Sequence, residues 1–398
     1  MEQVKFGIIG MGNMGTGHLR FFQEGKIKNG RVTSIADLSE KKLKSAKQNL
    51  PGDYCCYSSG EELIDHADVD AVIIAVPHYS HPPLAIRALK KGLHVICEKP
   101  AGVYTKQVKE MNRVAEESKG LFTMMYNQRT NPLYKKMREL VKNGELGEIR
   151  RVNWIITNWF RTQFYYDSGN WRATWRGEGG GVLMNQCPHQ LDLLQWICGM
   201  MPSRVRAFCH FGKWHNIETE DDVTAYFEFP NGATGAFITS TADAPGTNRF
   251  EILGSRGKVV CGKDELLVCR LKTDLQEVLM NEQNGFKEPE YTSEVIPQSG
   301  ENLQHVGILN NFANAVLGLE PLYVDGREGL KCVELIDSML LSAWKNETIE
   351  LPVDDEEYYT YLKKKSEASV DKRKSEASVD KRKEDLLIDN SMSFGGTR

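Results

Sequence analysis

The hexapeptide Gly10-Met11-Gly12-Asn13-Met14-Gly15 constrains this 398-residue chain more than any other stretch. An apolar run at residues 5–9 precedes it, and a helix-compatible segment at residues 18–24 follows. In such a strand, turn and helix the three glycines differ in role. Gly10 permits the tight turn, Gly12 lets the backbone approach a pyrophosphate, and Gly15 lets helix and strand pack closely. Asn13 and Met14 lie between the second and third glycines and are cofactor-binding candidates with them, and the N-terminus of the helix that follows favours phosphate charge. A second strand, residues 32–36, ends at Asp37, roughly twenty residues past the glycines, where an acid binds ribose hydroxyls. The pattern predicts NAD as cofactor. The 2′-phosphate of NADP would meet carboxylate repulsion, although Lys41 and Lys42 leave dual use open.

Short apolar runs at residues 4–9, 31–36, 71–76, 94–97 and 121–124 alternate with helical stretches, which implies βαβ units and a parallel sheet. After a helical stretch at 132–143 the pattern changes to longer alternating segments at 149–157, 204–210, 223–229 and 233–241, which read as half-buried antiparallel strands. Further helices are expected up to Cys198, over 302–317 and over 327–344. The expected fold class is α/β, with a Rossmann dinucleotide-binding domain over 1–124. An α/β domain with a large, mainly antiparallel open sheet follows over 125–352, and then a charged tail over 353–398. In the tail, residues 366–374 recur unchanged as 375–383, a composition too polar to bury much apolar surface.

A formal charge of −4 carries no basic excess, so nucleic acid is excluded as a partner. No apolar run reaches the roughly 18 residues a membrane helix needs, and the first residues lack the pattern of a secretory signal. The nine cysteines are scattered, with Cys55 and Cys56 adjacent and no CxxC pair, which fits free thiols and no bound metal. A cytoplasmic location is expected.

Ala75-Val76-Pro77 and Val95-Ile96-Cys97-Glu98-Lys99-Pro100 join the glycine loop, Gly179-Gly180-Gly181, His189 and Asp192 in one ordered set. With that set the chain resembles the glucose-fructose oxidoreductase, inositol dehydrogenase and MocA family over nearly all of residues 4–350. The resemblance implies a Rossmann domain, then an α/β domain whose open sheet often forms the oligomer interface, so a homo-oligomer is expected. It also implies that Lys99 reaches both the nicotinamide region and the reacting hydroxyl, with Pro100 as a frequently cis peptide. The chemistry agrees: an ammonium hydrogen-bonded to a hydroxyl stabilises alkoxide character as hydride leaves the adjacent carbon, and Glu98 would orient it. His78 and His81, after Pro77, either line the nicotinamide pocket or sit in an exposed loop.

Asn185, His189, Asp192 and Trp196, spaced four, three and four apart, would share one face of a helix that Leu191, Leu193, Leu194 and Ile197 make otherwise apolar. Such a stripe points to a cavity. His189, with an ordinary pKa of about 6.5, suits proton exchange and is assigned the substrate hydroxyl proton. Asp192, one turn on, is expected to hold the imidazole or bind a second hydroxyl. Pro188 either starts the helix, leaving Asn185 in the preceding loop, or bends it. The resembling family often has an aspartate where this chain has Asn185. An amide binds a hydroxyl but takes no proton, so that carboxylate function is lost or supplied elsewhere.

Trp154, Trp159, Phe160, Phe164, Tyr165, Tyr166, Trp171 and Trp175 crowd together with Arg161, Asn170 and Arg172 among them. Flat rings beside hydrogen-bonding groups suit a pyranose. Trp171, Arg172, Trp175 and Tyr166 are the substrate-binding candidates, and Trp171-Arg172 resembles a common family feature. The reading is an NAD-dependent oxidoreductase moving hydride between nicotinamide and a secondary hydroxyl or ketone of a sugar, glycoside or cyclitol, with C3 of a glucoside as the specific guess. An inositol dehydrogenase, a keto-sugar reductase and a glycosidase that oxidises, eliminates and reduces again stay open within that class. Outside it stand a regulatory protein that binds NAD and sugar without turnover, and a tail that docks a partner through Leu386-Leu387-Ile388 and Phe394.

Overall fold

The computed structural model describes residues 3–262 and 264–369, so the second copy of the tail repeat and the apolar residues after it lie outside the described residues. Six parallel strands form the first sheet: Val4–Ile9 (β1), Gly30–Ala36 (β2), Cys55–Tyr57 (β3), Ala71–Ile74 (β4), His94–Cys97 (β5) and Phe122–Met124 (β6). Their order is β3-β2-β1-β4-β5-β6. All four residues of β4 are buried, as are three of the four in β5, because helices cover both faces of a parallel sheet. The strand order reverses between β1 and β4, so the crevice beyond their C-terminal ends is where a ligand binds in such sheets. The glycine loop and Ala75-Val76-Pro77 stand there.

The second sheet has nine strands: Ile149–Ile156 (β7), Arg204–Phe211 (β8), Glu220–Glu228 (β9), Thr234–Ser240 (β10), Asn248–Gly254 (β11), Gly257–Cys261 (β12), Glu265–Leu271 (β13), Tyr291–Pro297 (β14) and Ile349–Glu350 (β15). Its order is β14-β13-β12-β11-β7-β10-β9-β8-β15, antiparallel except where β7 runs parallel to β10. One face packs under the helix Gly329–Lys345, which lies along β8 and against the helix Pro188–Cys198. The register aligns Phe208, Tyr226, Leu267 and Val295 on the opposite face, and all four are exposed. Among the described residues no helix is long and apolar enough to cross a membrane, and all nine cysteines are free.

The domain boundary expected at 352 needs correction. A helix, Asp355–Ala368, follows it and packs onto the body. Asp354 caps the helix by accepting the N–H groups of Glu356 and Glu357, both at 2.9 Å, and three acids in its first turn suit the helix dipole. Tyr358 and Leu362 are buried, with Tyr358 stacked on Trp344 at 5.4 Å. Lys109 and Lys106 of the helix Thr105–Glu117 pair with Asp355 and Glu356 at 2.7 and 2.6 Å, which ties the C-terminal helix to the first domain. Tyr358→Ala should cost about 3–5 kcal/mol, as large aromatic truncations in a core do. Urea unfolding measures it, and a loss below about 1 kcal/mol would mean the helix is not part of the folded body.

Candidate active site

The glycine loop has the shape its sequence predicts. Gly10 adopts φ +95°, and a Cβ there would collide with the carbonyl of Ala75. A Cβ on Gly15 would collide with the carbonyl of Gly10, whereas around Gly12 there is open space. The helix Asn13–Gln23 begins here with no side-chain cap and no acid in its first turn, leaving its N-terminal N–H groups to a phosphate. Asp37 stands beside the loop, its two oxygens accepting the N–H groups of Met11 at 2.7 Å and Ser39 at 2.8 Å. Lys42 approaches it to only 3.7 Å and is half exposed. Open space for a pyrophosphate and a placed carboxylate for a ribose fit a dinucleotide.

Strand β5 delivers Glu98 and Lys99 to the same crevice, and the Lys99–Pro100 peptide is cis. The sequence points to Glu98 orienting the Lys99 ammonium, but the Glu98 carboxylate lies buried against His18 of the first helix at 2.8 Å. Burial alone would raise the Glu98 pKa. The hydrogen bond and charge of His18, with help from His305 and Lys99, bring it down to about 2. His81 is buried, its ring between the carbonyls of Pro100 and Val76 at 2.7 and 2.8 Å, so it ties the lysine turn to the end of β4 and is not in an exposed loop. The Lys99 side chain reaches across to the second domain, where Nζ donates to the carbonyl of Asn185 at 2.9 Å.

In that domain Glu220, fully buried, accepts the N–H groups of Gly181 and Leu183 at 2.8 and 3.0 Å and so caps the short helix Val182–Asn185. Burial pushes its pKa up to about 7. A new helix, Pro188–Cys198, starts at Pro188, so Asn185 ends the preceding element and the four-residue stripe is divided. His189 is half-buried, its Nδ1 has no hydrogen-bond partner within the protein, and its ring meets Tyr126 edge-on at 6.4 Å. Burial, then the charges of Lys99 and His305, hold its pKa well below 6.5.

Around Lys99 and Asn185 the structure gathers Glu178, Trp171, Arg172 and His78. Glu178 is buried and accepts the Asn185 amide and the N–H of Ala173, while its own carbonyl meets His78 Nδ1 at 3.1 Å. Trp171 stands edge-on to His78, and the Arg172 guanidinium lies over Tyr165 and Trp171 with a hydrogen bond to the Tyr165 hydroxyl at 2.7 Å.

Three substrate-binding candidates lie elsewhere. Both Asp192 oxygens pair with Arg129, at 2.6 and 2.7 Å, and both residues are 1% exposed, so Asp192 neither holds the imidazole nor faces a cavity. Arg129 lies between the rings of Tyr126 and Trp196, which places Trp196 in the same buried cluster. Trp175 packs with Phe211 and Trp344 under the Lys365 ammonium of the C-terminal helix. Tyr166 is buried with its hydroxyl on Thr241 at 2.9 Å. Sequence reasoning missed Glu178, His18, Glu220 and Arg129. The first hides inside a glycine run, and only the burial of the others marks them.

Fold and site together define a dinucleotide-binding oxidoreductase with a second sheet domain set against its crevice. Residues 4–126 match the family model described as an oxidoreductase family with an NAD-binding Rossmann fold, and residues 134–260 match the GFO/IDH/MocA C-terminal domain. The chain belongs to the Gfo/Idh/MocA oxidoreductase family. Among its relatives, the rhizopine catabolism protein MocA of Rhizobium meliloti is 27% identical over 207 residues, 52% of this chain and 61% of that protein. The bovine trans-1,2-dihydrobenzene-1,2-diol dehydrogenase is 31% identical over 233 residues, 57% of this chain and 64% of that protein. This chain thus matches less than two thirds of either relative's length. The WlbA dehydrogenase of Chromobacterium violaceum, solved with NADH and UDP-GlcNAcA, is 25% identical with a TM-score of 0.74, covering 89% of this chain and 97% of that one.

Asp192→Asn should cost about 3–5 kcal/mol, because it leaves the Arg129 guanidinium buried without its main partner. Chemical denaturation measures this, and a neutral result would return Asp192 to the substrate pocket.

Proposed function

We propose that this protein is an NAD-dependent dehydrogenase acting on a secondary hydroxyl of a ring-shaped polyol, a sugar, glycoside or cyclitol, or reducing the corresponding ketone. The observation that carries the reading is the Lys99 ammonium, rooted in the cofactor domain and hydrogen-bonded at 2.9 Å in the second domain. The dihydrodiol and UDP-sugar named for two of the relatives are likewise ring secondary alcohols, which supports the substrate class.

Gly10, Gly12, Asn13, Met14 and Gly15 would hold the pyrophosphate and Asp37 the ribose, with Pro77, His78 and the Glu98-Lys99 turn bordering the nicotinamide. NAD, when bound, supplies the hydride acceptor. Lys99 donates a hydrogen bond to the hydroxyl oxygen and stabilises its growing negative charge as the C–H bond breaks. His189 takes the hydroxyl proton, leaving a carbonyl. Asn185 and Arg172 bind neighbouring hydroxyls, and Trp171 offers a ring to the C–H face of the sugar. The exposed row Phe208, Tyr226, Leu267 and Val295 suits a homo-oligomer interface.

Purified protein incubated with NAD and a panel of glycosides, inositols and keto sugars, starting with the C3 hydroxyl of glucosides, should change NADH absorbance with at least one of them. No change with any would sink the reading, and aglycone release without net NADH would turn it into the redox-cycling glycosidase. Lys99→Met should lower kcat/KM by roughly 10²–10³ with NAD binding retained. Turnover unaffected by that change would remove Lys99 from the chemistry, and NAD and sugar binding without any turnover in the wild type would favour the regulatory alternative.

The pH profile of oxidation follows from the two groups. His189 must be neutral to accept the proton, and its lowered pKa keeps it so until the pH falls well below 6.5. Lys99 must be charged, and burial lowers its pKa, so the rate should decline before pH 10.5 is reached. A plateau through neutrality is expected. An acid limb centred at 6.5 or above would remove His189 as the base.

A further inference from the structure

Two carboxylates flank Lys99. Glu98 is committed to His18 at 2.8 Å and to the Lys99 N–H at 3.3 Å. Glu178 comes from the second domain and is 2% exposed. Its Oε2 accepts the Ala173 N–H at 2.6 Å, and its Oε1 accepts the amide of Asn185, whose backbone carbonyl receives Lys99 Nζ at 2.9 Å. Ala173 stands at φ +49°, uncommon for a residue with a side chain, and that turn delivers its N–H to the carboxylate. Gln186 donates to the other end of the Asn185 amide at 3.3 Å, so the amide is held from both sides. The carboxylate therefore lies in the wall of the pocket, one side chain behind the groups that would face a substrate.

Resting on the dehydrogenase reading above, we propose that Glu178 is a positioning residue of hydride transfer, holding the Asn185 amide toward the ring hydroxyls and supplying the second-domain negative charge that keeps Lys99 an ammonium. The surroundings of Lys99 make that charge necessary. Burial pulls its pKa down and Arg172 adds to the effect, while Glu98, Glu178 and, more weakly, Cys332 oppose them. His78 and His189 also face the ammonium, and burial keeps both rings neutral near pH 7. With Glu98 shared with His18, Glu178 is the second carboxylate whose charge reaches the ammonium, from behind Asn185. Burial raises the Glu178 pKa, and Arg172, the Ala173 N–H, Asn185 and Lys99 pull it back.

The test is a titration of Lys99 in full-length protein carrying 13C-labelled lysine, with the Lys99 signal assigned by its loss in Lys99→Arg. Glu178→Gln should lower the Lys99 midpoint by roughly one pH unit or more, the size of effect an opposite charge a few ångströms away exerts. The double variant Glu178→Gln with Asn185→Asp returns a carboxylate across the same hydrogen bond and should restore most of the shift. With a substrate from the panel, the alkaline limb of kcat/KM should move with the Lys99 midpoint, and kcat should fall more than KM rises. Should Glu178→Gln fail to fold, Glu178→Asp, which draws the charge back by one methylene, should show a smaller shift in the same direction. An unmoved Lys99 midpoint in an enzyme that turns over overturns the assignment of Glu178 alone. A wild type that turns over nothing overturns the dehydrogenase reading, and the role in hydride transfer with it, whatever Lys99 does.

Discussion

The hydrogen bond from Lys99 Nζ to the carbonyl of Asn185 depends on two domains that pack into one continuous core. On one side, β5 is sandwiched between β4 and β6, and His81 bridges the carbonyls of Val76 and Pro100, so the lysine turn cannot shift without the end of β4. On the other, Glu220 caps the short helix that ends at Asn185, and the glycine run lets that helix lie against the backbone of β9. A Cβ at Gly181 would strike the Glu220 carbonyl. Neither domain makes the site alone, and a displacement of about 1 Å in either would separate the ammonium from its acceptor.

The partner of Lys99 matters as much as its position. Two other buried charges of the site region are matched by opposite or titratable charges: Glu98 by His18, and Arg129 by Asp192 and Glu328. Such matching is what burial demands. The Lys99 ammonium instead donates to a neutral carbonyl, using one of its three N–H groups and leaving its charge unneutralised at contact distance. A carboxylate in that place would hold the lysine more tightly and weaken its pull on a substrate oxygen. The two acids act from behind, Glu98 through the lysine's own backbone N–H and Glu178 through Asn185.

How much of this the sequence shows depends on whether burial follows a simple period. The first domain was legible because strands buried on both faces read as continuous apolar runs, and the glycines, Asp37 and the Glu98-Lys99-Pro100 turn sit at chain positions the strand ends define. β3 went unread because it is three residues long, and β14 because nearly all of its residues are exposed at a sheet edge, where nothing enforces alternation. The helix at Asp355–Ala368 was obscured by its charge, yet Tyr358, Tyr361 and Leu362 mark a narrow apolar stripe at helical spacing. Glu178 lies between glycines and reads as a turn, and only its burial shows otherwise.

The divided fate of the polar stripe shows where periodicity stops being informative. His189, Asp192 and Trp196 do share one side of the helix Pro188–Cys198, but a helix face 11 residues long passes over more than one environment. Its N-terminal end carries His189, whose ring feels the charge of the Lys99 ammonium. One turn later the same face meets the loop after β6, from which Arg129 emerges with its charge already buried and already shared with Glu328. A buried guanidinium needs a carboxylate wherever it lands. Asp192 is that carboxylate, so the spacing that suggested a catalytic pair with His189 instead leaves the buried imidazole Nδ1 without a partner within the protein, and burial with the Lys99 charge holds that ring's pKa well below 6.5.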